Sequence, residues 1–188
     1  MDTNSRTKSV SNWKRRLTKK EKINLKKISE KTQIFKKTSK GLSSRELTKF
    51  LDNTRNFIGV YAENEVNNIT VSNYPAFFIV NLDRRGMPGS HWIAIGVYQR
   101  KLEIFDSSGF DILRWPRIPC SLLSFLNKFS ASRQLHISTA LQSSKSHLCG
   151  FYCLFYVLFR NVTSFTNILS FFSSDRRYND SRLINVFS

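Results

Sequence analysis

The segment from Leu148 to Phe159 is the feature that most limits how this chain can fold, because it is an almost unbroken apolar run. The polar residues 142–147 precede it. The run is well short of the ~20 apolar residues that a helix needs to cross a bilayer, so we expect no membrane insertion. It predicts instead a buried helix from Cys149 to Arg160 in a soluble globule, and a 40% hydrophobic content with 16 Phe is enough to form a core.

The middle of the chain has the composition of a β-sheet. Residues 76–82, 91–98 and 101–106 are rich in β-branched and aromatic residues, and turn-forming residues bound each segment. We predict three strands there, a short strand over 133–138, and helices over 119–130, 163–172 and 180–187. Residues 56–69 fit either a loop or a short strand. Strands in the middle with helices before and after them indicate an α+β fold.

The basic residues are concentrated at the start of the chain. The formal net charge is +17, and residues 1–40 hold 14 basic and 3 acidic residues. We predict a flexible basic arm over residues 1–41 and a single folded domain over 42–188, which begins at a capping box formed by Ser43 and Glu46. Such an arm attracts polyanions, with nucleic acid as the expected partner, although a solubilising tail or a nuclear-import signal has the same composition. The residues expected to contact nucleic acid are Lys14, Arg15, Arg16, Lys19, Lys20, Lys26 and Lys27.

His91 and Asp106 lie on two strands that are expected to form a hairpin. If Ile93 pairs with Ile104, the period of two in a strand also places His91 opposite Asp106, with their Cβ atoms about 5 Å apart. A carboxylate at that distance orients an imidazole and stabilises its protonated form. Each residue also has a simpler interpretation, since a lone His at a strand start is often structural and Asp106 can close an Asx turn.

Cys149 lies where a polar loop meets the predicted helix. Unpaired amides and the positive end of the helix dipole favour a thiolate there, although a cysteine is also commonly a small buried hydrophobe. Gly150 removes a side chain where a substrate backbone has to approach. We expect Cys153, one turn later, to pack in the core. Zinc binding by His147, Cys149 and Cys153 is disfavoured because the helix is unlike a zinc knuckle and a fourth ligand is missing, so no metal site is expected.

The motifs GSHW, FDSSG and LQSSKSHLCGFYC occur in this order along the chain. The order resembles that of the adenovirus-type (adenain-like) cysteine proteases, in the clan that they share with the proteases of SUMO and other ubiquitin-like modifiers. Members have His followed by Trp, then Asp or Glu, then Gln, then Cys followed by Gly. The similarity covers roughly residues 43–165, and the matching residues are His91, Trp92, Asp106, Gln142, Cys149 and Gly150.

The resemblance implies a role for each matching residue. Cys149 would be the nucleophile, His91 the general base and later the acid, and Asp106 the group that orients His91. The Gln142 side chain would donate into the oxyanion hole beside the Cys149 backbone N–H, and Trp92 would line the substrate cleft. His136 and His147 rank below His91 as the base, and Glu103 and Asp111 are alternatives to Asp106. The implied fold is the papain-related one of this family, with a central mixed β-sheet flanked by helices.

The function implied is that of a cysteine endopeptidase, acting as a monomer, that cleaves viral or virus-like precursor proteins near glycine. The chemistry requires no cofactor, but in the family DNA and an activating peptide assist the enzyme, and the basic arm is a candidate replacement for that peptide. Three cysteines without framework spacing and no signal peptide fit a reducing compartment, and we expect the host-cell nucleus or the virion. The alternatives are a deconjugating protease for a ubiquitin-like modifier, an acetyltransferase of the same clan, and a non-enzymatic nucleic-acid-packaging protein.

Overall fold

The computed structural model describes residues 3–38, 40–110 and 118–188. The helices are α1 Thr3–Arg16, α2 Lys19–Thr38, α3 Ser44–Leu51, α4 Cys120–Ser130, α5 Cys149–Arg160, α6 Phe165–Phe171 and α7 Arg176–Phe187. The strands are β1 Phe57–Ala62, β2 Ala76–Asn81, β3 Trp92–Val97, β4 Lys101–Phe105 and β5 Gln134–Ile137. A 3-10 helix over Glu63–Asn68 follows β1. Among the residues described, no helix combines the length and apolar character needed to cross a membrane.

The five strands form one mixed sheet in the order β1-β2-β3-β4-β5. The outer pairs β1–β2 and β4–β5 are parallel, and the inner pairs β2–β3 and β3–β4 are antiparallel. Helix α5 packs against β2 and β3, while α4 packs against β4 and the 3-10 helix. The predicted α+β class with a central mixed sheet flanked by helices is therefore confirmed.

Helix α5 occupies the centre of the larger apolar core, between the sheet and the surrounding helices. Every residue from Gly150 to Phe159 is buried, so the helix has no face left for solvent. This explains why its sequence lacks the polar stripe of a surface helix. A second core cluster covers the opposite face of the sheet, where α4 contributes Leu122, Phe125 and Leu126.

The register of the central hairpin differs from the expected one. Ile95, rather than Ile93, is the partner of Ile104, and Val97 pairs with Leu102. The shift is two residues, which leaves every side chain on its predicted face because the side-chain period of a strand is also two. The apolar pattern fixes the face of each strand but cannot distinguish registers that differ by two residues.

The structure also differs from the flexibility expected of residues 1–41, because most of this segment forms α1 and α2. Val10, Trp13 and Leu17 are buried in the larger core and follow one another at helical spacing. The ring of Trp13 lies 5.8 Å from that of Phe159 and 6.2 Å from that of Phe171, measured between centroids. The first helix therefore completes the aromatic core around α5.

Helix α2 is difficult to predict because the face that it buries is mostly polar. Glu21, Asn24, Ile28 and Thr32 are buried at intervals of three or four residues. Glu21 accepts hydrogen bonds from the backbone N–H and the guanidinium of Arg55, while Asn24 donates to the Asp52 carbonyl. These polar groups are stabilised by partners inside the protein, so the helix packs without an apolar stripe that the sequence would reveal.

Candidate active site

Three separate elements bring His91, Asp106 and Cys149 to one end of the sheet. His91 immediately precedes β3 and Asp106 immediately follows β4, and these antiparallel neighbours place both residues at the same end. Cys149 is the first residue of α5, which packs across β3. The expected grouping of a thiol, an imidazole and a carboxylate is therefore present in the structure.

The His91 ring is held by Asp106. Its Nε2 lies 2.7 Å from Oδ1 of Asp106, whose side chain is completely buried. The same carboxylate accepts hydrogen bonds from the backbone N–H groups of Ser108 at 2.8 Å and Phe110 at 3.2 Å. Asp106 thus closes a turn and orients His91 at once, so the two interpretations of this residue are compatible. Because a carboxylate accepts, Nε2 carries the hydrogen in this hydrogen bond, and Nδ1 is the ring nitrogen that Asp106 does not occupy.

The environment of His91 favours its protonated form. Burial of the ring lowers its pKa, but hydrogen bonds to Asp106 and Cys149 and the negative charges of both groups outweigh burial and raise the pKa from 6.5 to about 9. At neutral pH the ring is an imidazolium. A positive charge beside a cysteine at a helix N-terminus is the usual means of activating a thiolate nucleophile.

Gln142 lies in the wall of the same site and is buried. Its Oε1 accepts a hydrogen bond of 2.8 Å from the Ser107 hydroxyl, and its Nε2 donates one of 2.6 Å to the Ser146 carbonyl. The side-chain amide carries two hydrogens, and Ser146 takes one. The second hydrogen remains for a ligand in the cleft, which is the requirement of the oxyanion role that the resemblance implies.

Trp92 and Gly150 both contact Leu42, a residue that no motif in the sequence singles out. The indole Nε1 of Trp92 donates to the Leu42 carbonyl at 2.9 Å, so this ring is fixed in the cleft wall. A Cβ on Gly150 would lie 3.0 Å from the Leu42 Cβ. The substrate-binding role expected of Gly150 is therefore corrected: this glycine is buried and makes room for Leu42 rather than for a substrate backbone.

An open cleft of about 970 Å³ gives access to the site. His91, Gln142 and Cys149 line it, together with segments 40–44 and 81–90. Phe110, whose side chain is 42% exposed, also lines the cleft, and its ring meets that of His91 edge to face at 6.1 Å. Phe110 therefore shields one edge of the imidazole, a role that the sequence alone did not indicate.

The alternative residues lie in other surroundings. Glu103 is buried in an ion pair with Arg160 at 2.7 Å, on the strand face opposite to that of Ile104. His136 lies on β5, where its ring meets that of Phe165, and His147 is exposed at the cleft. Asp111 lies outside the described residues.

The other cysteines differ from Cys149 in their surroundings. Burial raises the pKa of the Cys153 thiol well above its ordinary value, as expected of a packing residue. Cys120 is exposed at the start of α4. Within the described part of the chain, no group of three or more His, Cys, Asp or Glu side chains is arranged to hold a metal ion.

One of the seven basic residues expected to contact nucleic acid is engaged elsewhere. The ammonium of Lys14 donates a hydrogen bond to the Val186 carbonyl in the last turn of α7, and burial lowers its pKa. Lys14 therefore has a structural role, and its contact with nucleic acid stays a prediction. The other six are exposed or half-buried along α1 and α2, namely Arg15, Arg16, Lys19, Lys20, Lys26 and Lys27.

Comparison with known proteins yields weak similarity to solved structures and none to known sequences. No family model and no curated protein sequence matches this chain. The crystal structure of HopZ1a in complex with IP6 is similar at a TM-score of 0.42 and 12% sequence identity, over 95% of this chain and 65% of the HopZ1a chain. This chain thus spans slightly less than two thirds of that protein's length. What the site can do chemically therefore has to be inferred from the arrangement of its own side chains.

Proposed function

We propose that this protein is a cysteine endopeptidase in which Cys149 is the nucleophile. One observation carries the proposal: the His91 ring is hydrogen-bonded to Asp106 and lies beside Cys149, at the N-terminus of α5 and in an open cleft. A thiol, a proton carrier and a carboxylate that orients the carrier are the groups that acyl transfer requires.

The proposed reaction has two halves that use the same groups. The Cys149 thiolate attacks the scissile carbonyl carbon, and the imidazolium of His91 gives its proton to the leaving amine as the C–N bond breaks. A water molecule then attacks the resulting thioester while His91 takes its proton, which releases the acid and restores the Cys149 thiolate beside the His91 imidazolium. In each half, Gln142 and the Cys149 backbone N–H donate to the oxyanion.

The proposed substrates are precursor polypeptides that bind in an extended conformation along the cleft. Trp92 forms part of the cleft wall, and the preference for glycine next to the scissile bond follows from the family resemblance. Association with DNA, action in the nucleus or virion and a monomeric state belong to the same proposal. The exposed basic residues of α1 and α2 support the first of these.

Cleavage of a peptide library with internal Gly-containing sites tests the proposal. We expect the wild-type protein to cleave a subset of these peptides and Cys149→Ala to abolish cleavage with an unchanged circular dichroism spectrum. Cys120→Ala removes an exposed thiol outside the cleft and serves as the matched control, with full activity expected. Undiminished cleavage by Cys149→Ala would refute the mechanism.

A parallel reaction separates the endopeptidase from the deconjugating alternative. A ubiquitin-like protein fused through a C-terminal Gly-Gly is offered beside the peptide library at equal concentration. An endopeptidase cleaves the internal sites with the higher kcat/KM. Exclusive cleavage of the fusion would replace the proposed substrate class while keeping the role of Cys149.

A further inference from the structure

We propose that Ser107 is a positioning residue for the oxyanion hole, because its hydroxyl fixes the direction in which the Gln142 side-chain amide faces. This inference rests on the proposed function. Ser107 lies directly after Asp106 in the FDSSG motif, is 1% exposed, and is not among the residues to which the family resemblance assigns a role. Its side chain is buried behind the cleft wall and acts on the site through Gln142.

The hydrogen bonds around Gln142 determine the orientation of its amide. Nε2 donates to the Ser146 carbonyl, which can only accept, so the nitrogen is unambiguously at that end. Oε1 therefore faces Ser107, whose hydroxyl has to be the donor across the 2.8 Å contact. Reversing the amide would place two acceptors together at Ser146 and lose the bond from Ser107.

The main chain of Ser107 holds the neighbouring loop in addition. Its carbonyl accepts hydrogen bonds from the backbone N–H groups of both Leu141 and Gln142, each at 2.8 Å. The backbone of Gln142 is thus fixed by the Ser107 carbonyl, and its side chain by the Ser107 hydroxyl. Because Asp106 precedes Ser107, one turn after β4 orients both the proton carrier and the oxyanion donor.

The hydroxyl matters to catalysis because an amide has one donating and one accepting end. An amide turned the wrong way presents its oxygen to the developing oxyanion and repels it. Removal of the hydroxyl leaves a buried carbonyl without its donor and lets the amide rotate. The cost should appear in kcat, since the oxyanion forms after the substrate has bound.

The test is a double-mutant cycle on hydrolysis of a peptide that the wild-type protein cleaves. Gln142→Ala should lower kcat by about 10²- to 10³-fold, as for other oxyanion-hole donors. Ser107→Ala should lower kcat by roughly three- to tenfold with KM unchanged. In the Gln142→Ala background, Ser107→Ala should cause no further loss, because the residue through which it acts is absent. Equal losses in both backgrounds would overturn the proposal.

Ser138→Ala is the matched control for general loosening of the turn. The Ser138 hydroxyl donates to the Asp106 carbonyl and accepts from the Asp106 N–H, so this buried serine supports the same turn without touching Gln142. Its effect on kcat should persist in the Gln142→Ala background. Loss of that effect would show that the cycle reports the turn as a whole, and would count against a specific role for Ser107.

Alkylation of Cys149 by iodoacetamide separates this inference from the proposed function. Alkylation forms no oxyanion, so Ser107→Ala should leave its rate unchanged, and a slower rate would instead assign Ser107 to thiol activation. Ser107→Cys keeps a weaker hydrogen-bond donor of similar size, so its kcat should lie between those of the wild type and Ser107→Ala. This variant still tests the role of the hydroxyl if Ser107→Ala does not fold. If the wild-type protein cleaves nothing, the proposed function fails; if it cleaves and the cycle is additive, only the role of Ser107 fails.

Discussion

His91 is the residue on which the electrostatics of the site depend. It is the only side chain placed between a buried carboxylate and a thiol in the described part of the chain, and it is an imidazolium at neutral pH. The proposed nucleophile, Cys149, therefore lies beside a positive charge that favours formation of a thiolate. In the proposed reaction, the proton that the leaving amine requires is then already on His91.

Asp106→Asn should lower the pKa of His91 from about 9, because it removes a charge and a charge-assisted hydrogen bond that raise it. NMR titration of the histidine rings measures this shift directly. The exposed carboxylate of Asp52, at the end of α3, offers a control variant, Asp52→Asn, which should leave the His91 titration unchanged. An unaltered His91 pKa in Asp106→Asn would contradict the assigned hydrogen bond.

The same pKa shift makes stability depend on pH in a defined direction. Below pH 6.5 His91 is protonated in both the folded and the unfolded chain, and its ion pair contributes fully. The contribution decreases as pH rises from 6.5 and is lost above about 9, because folding then no longer gains from the protonated ring. Urea unfolding at several pH values should show a decline over this range in the wild-type protein and a smaller one in Asp106→Asn.

At the scale of elements, the turn over residues 106–110 is built around Gly109. This glycine has a φ of +67°, and a Cβ on it would lie 2.2 Å from the backbone N of Ala140. Only glycine fits there, because a side chain would force apart the turn and the loop that carries Gln142. The packing of these two backbones keeps Asp106 and Gln142 in their relative positions.

Gly109→Ala should therefore destabilise the fold by about 2–4 kcal/mol and reduce activity in the fraction that remains folded. Gly86→Ala is a matched control, since Gly86 also has a positive φ, at +92°, but nothing lies within 4 Å of the position that a Cβ would occupy. It should cost only about 1 kcal/mol of backbone strain. Equal losses in urea unfolding for the two variants would show that the close approach to Ala140 is unimportant.

Helix α1 offers a test of whether the basic segment belongs to the core. Trp13→Ala should lower the free energy of unfolding by about 3–5 kcal/mol, because it removes a buried indole that packs against Phe155, Phe159 and Phe171. Arg15→Ala, two residues along on the exposed side, should change it by less than about 0.5 kcal/mol. If Trp13→Ala left the free energy of urea unfolding unchanged, α1 would not belong to the core, and the flexible arm expected from the sequence would be correct.

The sequence predicted best the elements whose residue pattern depends on one condition, such as burial on all sides or hydrogen bonds between neighbouring residues. Helix α5 has the bounds expected, because burial on all sides gives an uninterrupted apolar run. The capping box at Ser43 is present because it depends on local hydrogen bonds alone. Helix α7 begins at Arg176 rather than at 180, since its first turn is exposed and is specified only by Asp175, which caps the Tyr178 N–H.

The parts of the candidate site that the sequence did not predict all depend on contacts between distant segments. Leu42 meets Trp92 and Gly150 across the fold, and Ser107 meets Gln142 from another loop. A short motif reveals a residue whose chemical type is required for the reaction. It does not reveal a serine or leucine whose importance comes from the neighbour that folding brings to it.

At the scale of the whole molecule, the positive charge is carried on a structured surface. Lys19, Lys20 and Lys26 are exposed on α2, which packs against α3 and α7. Basic side chains along a helix form a regular array of positive charges that a polyanion can contact. Their backbone is already ordered, so binding costs less conformational entropy than it does for a disordered tail. If the protein binds nucleic acid as proposed, this geometry favours a specific contact over a diffuse one.

Replacement of these three lysines by glutamate should weaken binding to duplex DNA by more than tenfold. The slope of the logarithm of the binding constant against the logarithm of the salt concentration should become shallower by about 0.9 for each phosphate that is no longer neutralised. Fluorescence anisotropy with a labelled duplex at several salt concentrations measures both quantities. A triple reversal of Arg100, Lys128 and Arg177, exposed residues outside α1 and α2, lowers the net charge equally. The same weakening in both variants would show that total charge, rather than α2, determines binding.

The hydrogen bond between Lys14 and the Val186 carbonyl joins residues 172 positions apart, and Trp13 beside it packs against α5 and α6. During synthesis on the ribosome, the first helix therefore emerges long before the surfaces that will receive it. The aromatic core around Cys149 closes only after the residues of α7 have been made. A nascent chain of this protein thus cannot complete the scaffold of the candidate active site until translation has passed α7.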